Sequence, residues 1–398
     1  MLSLTLELTK NKPLHKNTDC LKPFASDEVK KVRAFHNSMW GYYHETPLLE
    51  LKALAAWFGV KSIFVKDEAP RFGLKSFKAL GGSFAIASYL SQKSGRPLSF
   101  DELTYEKLQD KVYNITFATT TDGNHGRGVA WIARLLGFPA VVYMPKGSVQ
   151  ARVDAIKHEG ATVKVTDLNY DDTVRLLAED ANTNGWVIIQ DTAWPHYEQI
   201  PLWIMQGYST MAAEALDKIP LIPTHIFAQA GVGSMAAAVQ AVVANRGYGK
   251  KPVFTILEAA TANCFYRSFK EGKPCNVEGD LSTIMAGLAC GEVNPLAWEI
   301  IKNYSSFALS CHDEVTALGM RILGNPLGSD PKITAGESGA IGAGVIGLLD
   351  KYHNLKTDMG INKDSVLLIF NTEGDTFPEN YRDIVWGGSN PCDFRGDF

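Results

Sequence analysis

Residues 113–189 alternate short apolar strand patterns with helix patterns. Strands are predicted at 113–118, 140–143, 162–165 and 186–189, and helices at 124–136, 149–159 and 170–182. A helix between two strands returns the chain to the same edge of the sheet, so the strands pair in parallel. This alternation predicts an α/β fold in which a mostly parallel sheet is flanked by helices.

A second series of patterns surrounds this block. It comprises strands at 62–65, 224–229, 253–257 and 366–370, and helices at 76–90, 198–216, 234–244 and after 336–344. Residues 1–10 alternate apolar and polar side chains, as an edge strand does. Because 398 residues exceed one ordinary core, we predict two open, mostly parallel twisted sheets in two domains. A large domain takes residues 1–90 and 196–398, and a small mobile domain takes residues 91–195, beginning with a polar connector at 91–110.

Composition narrows the class of partner. The net charge is −4 and no run is rich in Lys or Arg, so nucleic-acid binding is not expected. No apolar run approaches the ~18 residues of a membrane span, and the N-terminus lacks the apolar core of a signal peptide, so we expect a cytoplasmic protein. The six cysteines show no metal-binding spacing. Four of them lie between 264 and 311, where one disulfide is conceivable, but free thiols are expected in a reducing compartment.

Lys78 is the first candidate for a reactive side chain. It follows Ser76-Phe77 and lies in the first turn of the predicted helix at 76–90. The positive end of a helix dipole disfavours an ammonium group and lowers the pKa of the amine. A lysine that forms a Schiff base needs such a neutral amine. The alternative interpretation is an ordinary solvated lysine.

A second motif, Thr121-Asp-Gly-Asn-His125, lies between a predicted strand and a helix. In an open α/β sheet, ligands bind at this carboxyl end of the strands. Asn124 is predicted to donate its amide to a ligand oxygen, or alternatively to cap the helix. Asp122 is either a turn residue or a carboxylate that faces the cleft.

A third motif, Gln229-Ala-Gly-Val-Gly-Ser234, follows a buried strand and opens a helix. Backbone N–H groups at Gly231 and Gly233, together with the Ser234 hydroxyl, suit a phosphate group. The same stretch matches the dinucleotide pattern Gly-x-Gly-x-x-Ala, with Glu258 placed as a ribose-binding carboxylate. Phosphate monoester and dinucleotide therefore remain equal alternatives on this motif, with a structural glycine turn behind them. A fourth motif, Asn371-Thr-Glu-Gly-Asp375, follows the last strand and places Thr372 at the carboxyl edge of the sheet, unless it is a simple turn.

The four motifs, in this order, resemble those of the tryptophan-synthase-β-like, or fold-type II, pyridoxal-phosphate enzymes. The resemblance spans nearly the whole chain and implies that the cofactor lies between a large and a small domain. It implies that Lys78 bonds covalently to the cofactor and that Asn124 meets its 3-hydroxyl group. It also implies that the glycine loop, Gly231, Val232, Gly233 and Ser234, binds the phosphate, and that Thr372 meets the ring nitrogen. The resemblance further implies a homodimer.

The version Thr-Asp122-Gly-Asn-His-Gly-Arg, with Gly-Glu337-Ser-Gly-Ala, resembles the diaminopropionate ammonia-lyase branch of that family. The implied reaction is elimination from 2,3-diaminopropionate, D and L, to give pyruvate and ammonia. Lys78 is then the expected base for the L isomer and Asp122 for the D isomer, with Asp191 in reserve. A serine or threonine dehydratase is the alternative within the family. A nicotinamide oxidoreductase or a catalytically silent binding protein is the alternative outside it.

Overall fold

A computed structural model describes residues 6–12, 17–110 and 114–392. Its strands are β1 Leu6–Lys10, β2 Leu48–Glu50, β3 Ser62–Asp67, β4 Phe117–Thr120, β5 Ala140–Met144, β6 Thr162–Val165, β7 Val187–Ile188, β8 His225–Gln229, β9 Val253–Ala259, β10 Phe307–Cys311 and β11 Val366–Asn371. Its α-helices are α1 Ser26–Asn37, α2 Lys52–Trp57, α3 Lys78–Ser94, α4 Tyr105–Leu108, α5 Asn124–Leu136, α6 Gln150–His158, α7 Tyr170–Asn184, α8 Gln199–Lys218, α9 Ser234–Asn245, α10 Cys264–Glu271, α11 Pro295–Tyr304, α12 Asp313–Gly324, α13 Ile341–Gly347, α14 His353–Met359 and α15 Pro378–Val385.

The strands form two sheets, as predicted. The larger has seven strands in the order β1-β10-β9-β8-β11-β3-β2, and its five inner strands run parallel to one another. The edge strands β1 and β2 are antiparallel to their neighbours. The smaller sheet has four parallel strands in the order β6-β5-β4-β7. The α/β fold class is therefore confirmed. The N-terminal edge strand is confirmed for Leu6–Lys10, whereas residues 1–5 lie outside the described part of the chain.

Two local predictions were wrong. The strand predicted at 113–118 begins later, at Phe117, because Asn114 adopts a left-handed backbone with φ +54° that cannot continue a strand. Tyr113 itself lies outside the described residues. The polar connector at 91–110 contains the end of α3 and all of α4, and it buries Leu103 and Leu108 in the core. The predicted domain boundary at 90/91 falls inside α3. The division into two domains itself stays a prediction.

A buried charge network anchors the loop that leads to Lys78. The four side chains Lys66, Glu68, Arg71 and Glu214 are all fully buried. Arg71 donates to Glu68 at 2.7 Å and to Glu214 at 2.7 Å, and Lys66 donates to Glu214 at 2.5 Å. Two cations and two anions thus neutralise one another where isolated charges would be prohibitively unfavourable. The network ties β3 and the following loop to α8.

Among the described residues, no helix combines the length and apolarity that crossing a membrane requires. The four cysteines between 264 and 311 form no disulfide.

Candidate active site

One cavity of about 500 Å³ collects residues from all four sequence motifs. Its lining includes side chains that follow the carboxyl ends of β4, β8 and β11, where ligands bind in open parallel sheets. The predicted site residues that line it are Lys78, Asp122, Asn124, Asp191, Gly231, Val232, Gly233, Ser234 and Thr372. The fold therefore brings together residues that are up to 294 positions apart in the sequence (78 to 372).

Lys78 is the first residue of α3, and its side chain reaches the cavity. Its Nζ donates to Asp191 Oδ2 at 2.6 Å, and both side chains are largely buried. Burial by itself lowers the pKa of the Lys78 ammonium, but the Asp191 carboxylate, with smaller contributions from Tyr208 and Asp122, raises it above its usual value. The expectation that the helix dipole lowers this pKa was wrong, because a buried carboxylate outweighs the dipole.

Asp191 is held in place by its own neighbours. Burial raises the pKa of the Asp191 carboxyl, but Lys78 and His125 together lower it below its usual value. The Asp191 carbonyl oxygen accepts a hydrogen bond from the Ser234 hydroxyl at 2.6 Å. Asp191 thus contacts both the lysine and the glycine loop.

Asp122 occupies a different position from Asp191. Its carboxylate lines the cavity, Oδ2 has no hydrogen-bond partner among the described residues, and the nearest cation is Arg152 Nη1 at 3.5 Å. The aliphatic part of the Arg152 side chain packs against Gly123, where a Cβ would lie 2.8 Å from Arg152 Cδ. Gly123 also has a positive φ of +154°. Asp122 is therefore a cavity carboxylate, and the interpretation as a simple turn residue is insufficient.

Asn124 begins α5 but does not cap it. The N-cap position belongs to Gly123, and the Asn124 side chain donates instead to the carboxylate of Glu373, which also lines the cavity. The capping interpretation of Asn124 was therefore wrong. Burial raises the pKa of Glu373, although Arg152 opposes this. His125 hydrogen-bonds the Ile189 carbonyl at 2.7 Å, which connects α5 to the residue that follows β7.

The glycine loop joins β8 to the N-terminus of α9. Gly233 adopts φ +93°, and a Cβ there would lie 2.2 Å from the Phe265 ring. A Cβ at Gly231 would lie 2.9 Å from the Gly287 carbonyl oxygen. Glycine at these positions lets backbone N–H groups and the helix terminus face the cavity, which is the arrangement that binds a phosphate group.

Thr372 is oriented by Gln229, a contact that the sequence did not reveal. Gln229 Nε2 lies 2.9 Å from Thr372 Oγ1 and also contacts the carbonyl oxygens of Ser338 and Phe370, at 2.9 and 3.0 Å, so its two hydrogens are shared among three acceptors. Because an amide nitrogen accepts no hydrogen bond, the single hydrogen of the Thr372 hydroxyl remains for another acceptor. The neighbouring Asp375 instead pairs with Lys75 at 2.7 Å. Thr372 and the adjacent Glu373 both line the cavity.

The dinucleotide interpretation of the glycine loop fails at Glu258. This side chain is fully buried, and its two carboxyl oxygens accept the backbone N–H groups of Phe265 and Tyr266 at the start of α10. It therefore serves that helix and offers nothing to a ribose.

The sequence also missed Arg152 and Asn294. Arg152 carried a signal only as a cation on the helix pattern at 149–159. Asn294 precedes Pro295, which indicates a helix N-cap, and its Oδ1 does accept the Leu296 N–H at 3.0 Å. Neither pattern reveals that Arg152 lines the cavity or that Asn294 contacts two residues that line it.

The donor set fits pyridoxal phosphate. The cavity combines a lysine amine, a glycine loop at a helix N-terminus, an amide at Asn124, and a hydroxyl at Thr372 with a hydrogen left to donate. These groups match an aldehyde, a phosphate, a phenolic oxygen and a ring nitrogen in turn.

The comparisons with known proteins agree with this fit. The family described as pyridoxal-phosphate dependent enzyme matches residues 39–371. Diaminopropionate ammonia-lyase of Escherichia coli strain K12 is 49% identical over 398 residues, covering 98% of each chain. The structure of that enzyme from Escherichia coli in complex with D-serine has a TM-score of 0.91, with 47% identity over 98% of this chain and 99% of that one. The structure described as a complex with the aminoacrylate-PLP azomethine reaction intermediate has a TM-score of 0.90, with 48% identity over 98% of each chain.

The whole-length identity, the matching fold and the shared family model establish that this chain belongs to the diaminopropionate ammonia-lyases, within the pyridoxal-phosphate dependent enzymes.

Proposed function

We propose that this protein eliminates ammonia from 2,3-diaminopropionate, using pyridoxal phosphate. The observation that supports this most is that Lys78, the glycine loop and two separate carboxylates, Asp122 and Asp191, all line one cavity. The overall reaction consumes one water and yields one pyruvate and two ammonia. The enzyme from Escherichia coli that is 49% identical carries the name of this activity.

Four parts of the chain would hold the cofactor. Lys78 would bond to its aldehyde carbon, the loop Gly231–Ser234 would bind its phosphate, Asn124 would meet its 3-hydroxyl group, and Thr372 would donate to its ring nitrogen. Gln229 keeps the Thr372 hydrogen aimed away from itself. When bound, the cofactor supplies an electron acceptor for the bond that breaks at the substrate Cα. Because Thr372 is neutral, it leaves the ring nitrogen largely unprotonated, which favours elimination over racemisation.

Two bases serve the two enantiomers in this proposal. Lys78 Nζ removes the Cα proton of the L isomer. Asp122 Oδ2 removes that of the D isomer, because it lines the cavity, has no hydrogen-bond partner among the described residues, and is not the carboxylate that pairs with Lys78. Asp191 lies 2.6 Å from Lys78 Nζ and so shares the lysine's side of the cavity, which makes it the weaker candidate for a base on the opposite side.

The leaving group must depart as ammonia and therefore needs a proton. The Asp191 carboxylate, and that of Asp122 when Asp122 is not the base, stabilise the protonated form of the β-amino group through opposite charge. The unsaturated product, 2-aminoacrylate, hydrolyses in water to pyruvate and the second ammonia without further catalytic groups.

Relative rates on three amino acids test this function. The purified protein with pyridoxal phosphate should release 2-oxo acid from 2,3-diaminopropionate much faster than from serine or threonine. A dehydratase would show the reverse order, although the 49% identity to an ammonia-lyase does not favour that alternative. An absence of 2-oxo acid from all three would contradict both.

A homodimer in the cytoplasm remains our proposal for the assembly and its location. Sedimentation at several protein concentrations and cell fractionation test these two points separately.

A further inference from the structure

Asn294 connects the glycine loop to Asp191 from beneath the cavity. Its side chain is fully buried. Its Nδ2 donates to Ser234 Oγ at 2.8 Å and to the Asp191 carbonyl oxygen at 3.2 Å. Its backbone N–H donates to the Val232 carbonyl oxygen at 3.0 Å. One residue therefore contacts the glycine loop twice and Asp191 once.

The side chains of Asn294 and Ser234 have different numbers of hydrogens to donate. An asparagine amide carries two hydrogens, and its two strong acceptors here are Ser234 Oγ and Asp191 O, whereas Met205 Sδ, at 3.9 Å, is a weak acceptor. A serine hydroxyl carries one hydrogen, and the Ser234 hydrogen also goes to Asp191 O, at 2.6 Å. The Asp191 carbonyl thus has two donors, of which only the Ser234 donor can be redirected by rotating a hydroxyl.

We propose that Asn294 is a positioning residue, an inference that rests on the proposed function. It keeps the Asp191 carbonyl hydrogen-bonded when Ser234 turns its only hydrogen to the cofactor phosphate. Without Asn294, that rotation would leave a buried carbonyl with no donor, which is unfavourable. With Asn294, phosphate binding and the placement of Asp191 no longer compete for one hydrogen. Because Asp191 accepts a hydrogen bond from Lys78 Nζ, the lysine keeps its position relative to the phosphate-binding loop.

Asn294→Ser isolates this role. Serine still caps α11, as Asn294 Oδ1 does through the Leu296 N–H, but it is too short to reach Asp191. The matched control is Asn303→Ser, because Asn303 is a buried asparagine within α11 whose amide, among the described residues, donates to the Glu299 carbonyl and to no other acceptor. Asn294→Thr, which also caps a helix, repeats the test if the serine variant does not fold.

The full-length apoproteins are titrated with pyridoxal phosphate and with pyridoxal, which lacks the phosphate, and the visible band is followed. We expect Asn294→Ser to weaken binding of pyridoxal phosphate about tenfold, equivalent to about 1.4 kcal/mol. Binding of pyridoxal should change little, and Asn303→Ser should leave both affinities unchanged. Equal weakening of both ligands, or no weakening of either, would overturn the inference.

A double variant distinguishes the loss of a hydrogen-bond donor to Asp191 from a general destabilisation of the site. In Ser234→Ala no hydroxyl is redirected, so Asn294 is needed equally with and without phosphate. Adding Asn294→Ser to Ser234→Ala should therefore leave the affinity for pyridoxal phosphate unchanged, and a further tenfold loss would contradict the inference. If wild-type protein forms no band with either ligand, the proposed function itself fails, which is a distinct result.

Discussion

Lys78 Nζ lies 2.6 Å from Asp191 Oδ2 in a buried ion pair that joins the start of α3 to the segment after β7. The pair neutralises the amine's positive charge at the positive end of a helix dipole, where an unpaired ammonium would be disfavoured. We therefore expect Asp191 to set the pH at which the Lys78 amine becomes neutral and able to attack a carbonyl carbon.

Asp191→Asn should lower the pKa of the Lys78 ammonium, because it removes the carboxylate that raises this pKa while burial, which lowers it, remains. Since only the neutral amine attacks, the pH midpoint for capture of pyridoxal phosphate should move to lower pH. Stopped-flow absorbance of the apoprotein across a pH series measures this midpoint. Asp375→Asn is the control, because it removes the partner of a different lysine, Lys75. An unchanged midpoint in Asp191→Asn would contradict the role given to Asp191.

Asp122→Asn should separate the two enantiomers. Loss of a positioned base typically reduces a rate by about 10²–10⁴-fold. We expect a loss of that order in kcat for D-2,3-diaminopropionate and a much smaller loss for the L isomer. Pyruvate release from each enantiomer gives the measurement, and equal losses would indicate that Asp122 acts through structure or on the leaving group.

Sequence patterns predicted the fold better than the contacts within the site. The strand and helix periods in residues 114–189 depend on local alternation, so α5 and β6 have the predicted bounds. The motifs correctly placed Lys78 in the first turn of a helix. Such features are encoded within a few residues of one another.

Contacts between distant segments escaped prediction. Asp191 is 113 positions from Lys78, so the dipole argument, which considers one helix alone, gave the wrong direction for the lysine pKa. The strand β10, Phe307–Cys311, was also missed, although it is buried along its whole length. The sequence around Asn294 indicates an ordinary helix cap, and its contact with Ser234 forms only in the folded chain.

Gly233→Ala should damage the glycine loop. The new Cβ would overlap the Phe265 ring, and the backbone would keep an unfavourable positive φ. We expect the affinity for pyridoxal phosphate to fall roughly tenfold or more, which is about 1.4 kcal/mol or more. Gly247→Ala is the matched control, because Gly247 also has positive φ, +64°, but no atom lies within 4 Å of its new Cβ. If both variants bind the cofactor like the wild type, the loop does not have the strict geometry assigned to it.

Arg71→Met should destabilise the fold. It leaves Glu68 and Glu214 buried with Lys66 as their remaining cation, and breaking such buried pairs costs about 3–5 kcal/mol. Arg246→Met, which removes a partly exposed partner of Asp217, should cost no more than about 1 kcal/mol. Urea unfolding of the two variants compares the free energies, and equal values would show that the buried network contributes little.

The most direct test of the central claim is the visible absorption spectrum of the purified protein with pyridoxal phosphate, recorded before and after D- and L-2,3-diaminopropionate are added. Pyruvate is assayed in the same cuvette, and Lys78→Ala serves as the comparison. The proposed function predicts a band that shifts with either enantiomer while pyruvate accumulates, and no sustained pyruvate release from Lys78→Ala. A wild-type protein that shows no band, or that releases pyruvate equally well without Lys78, would contradict it.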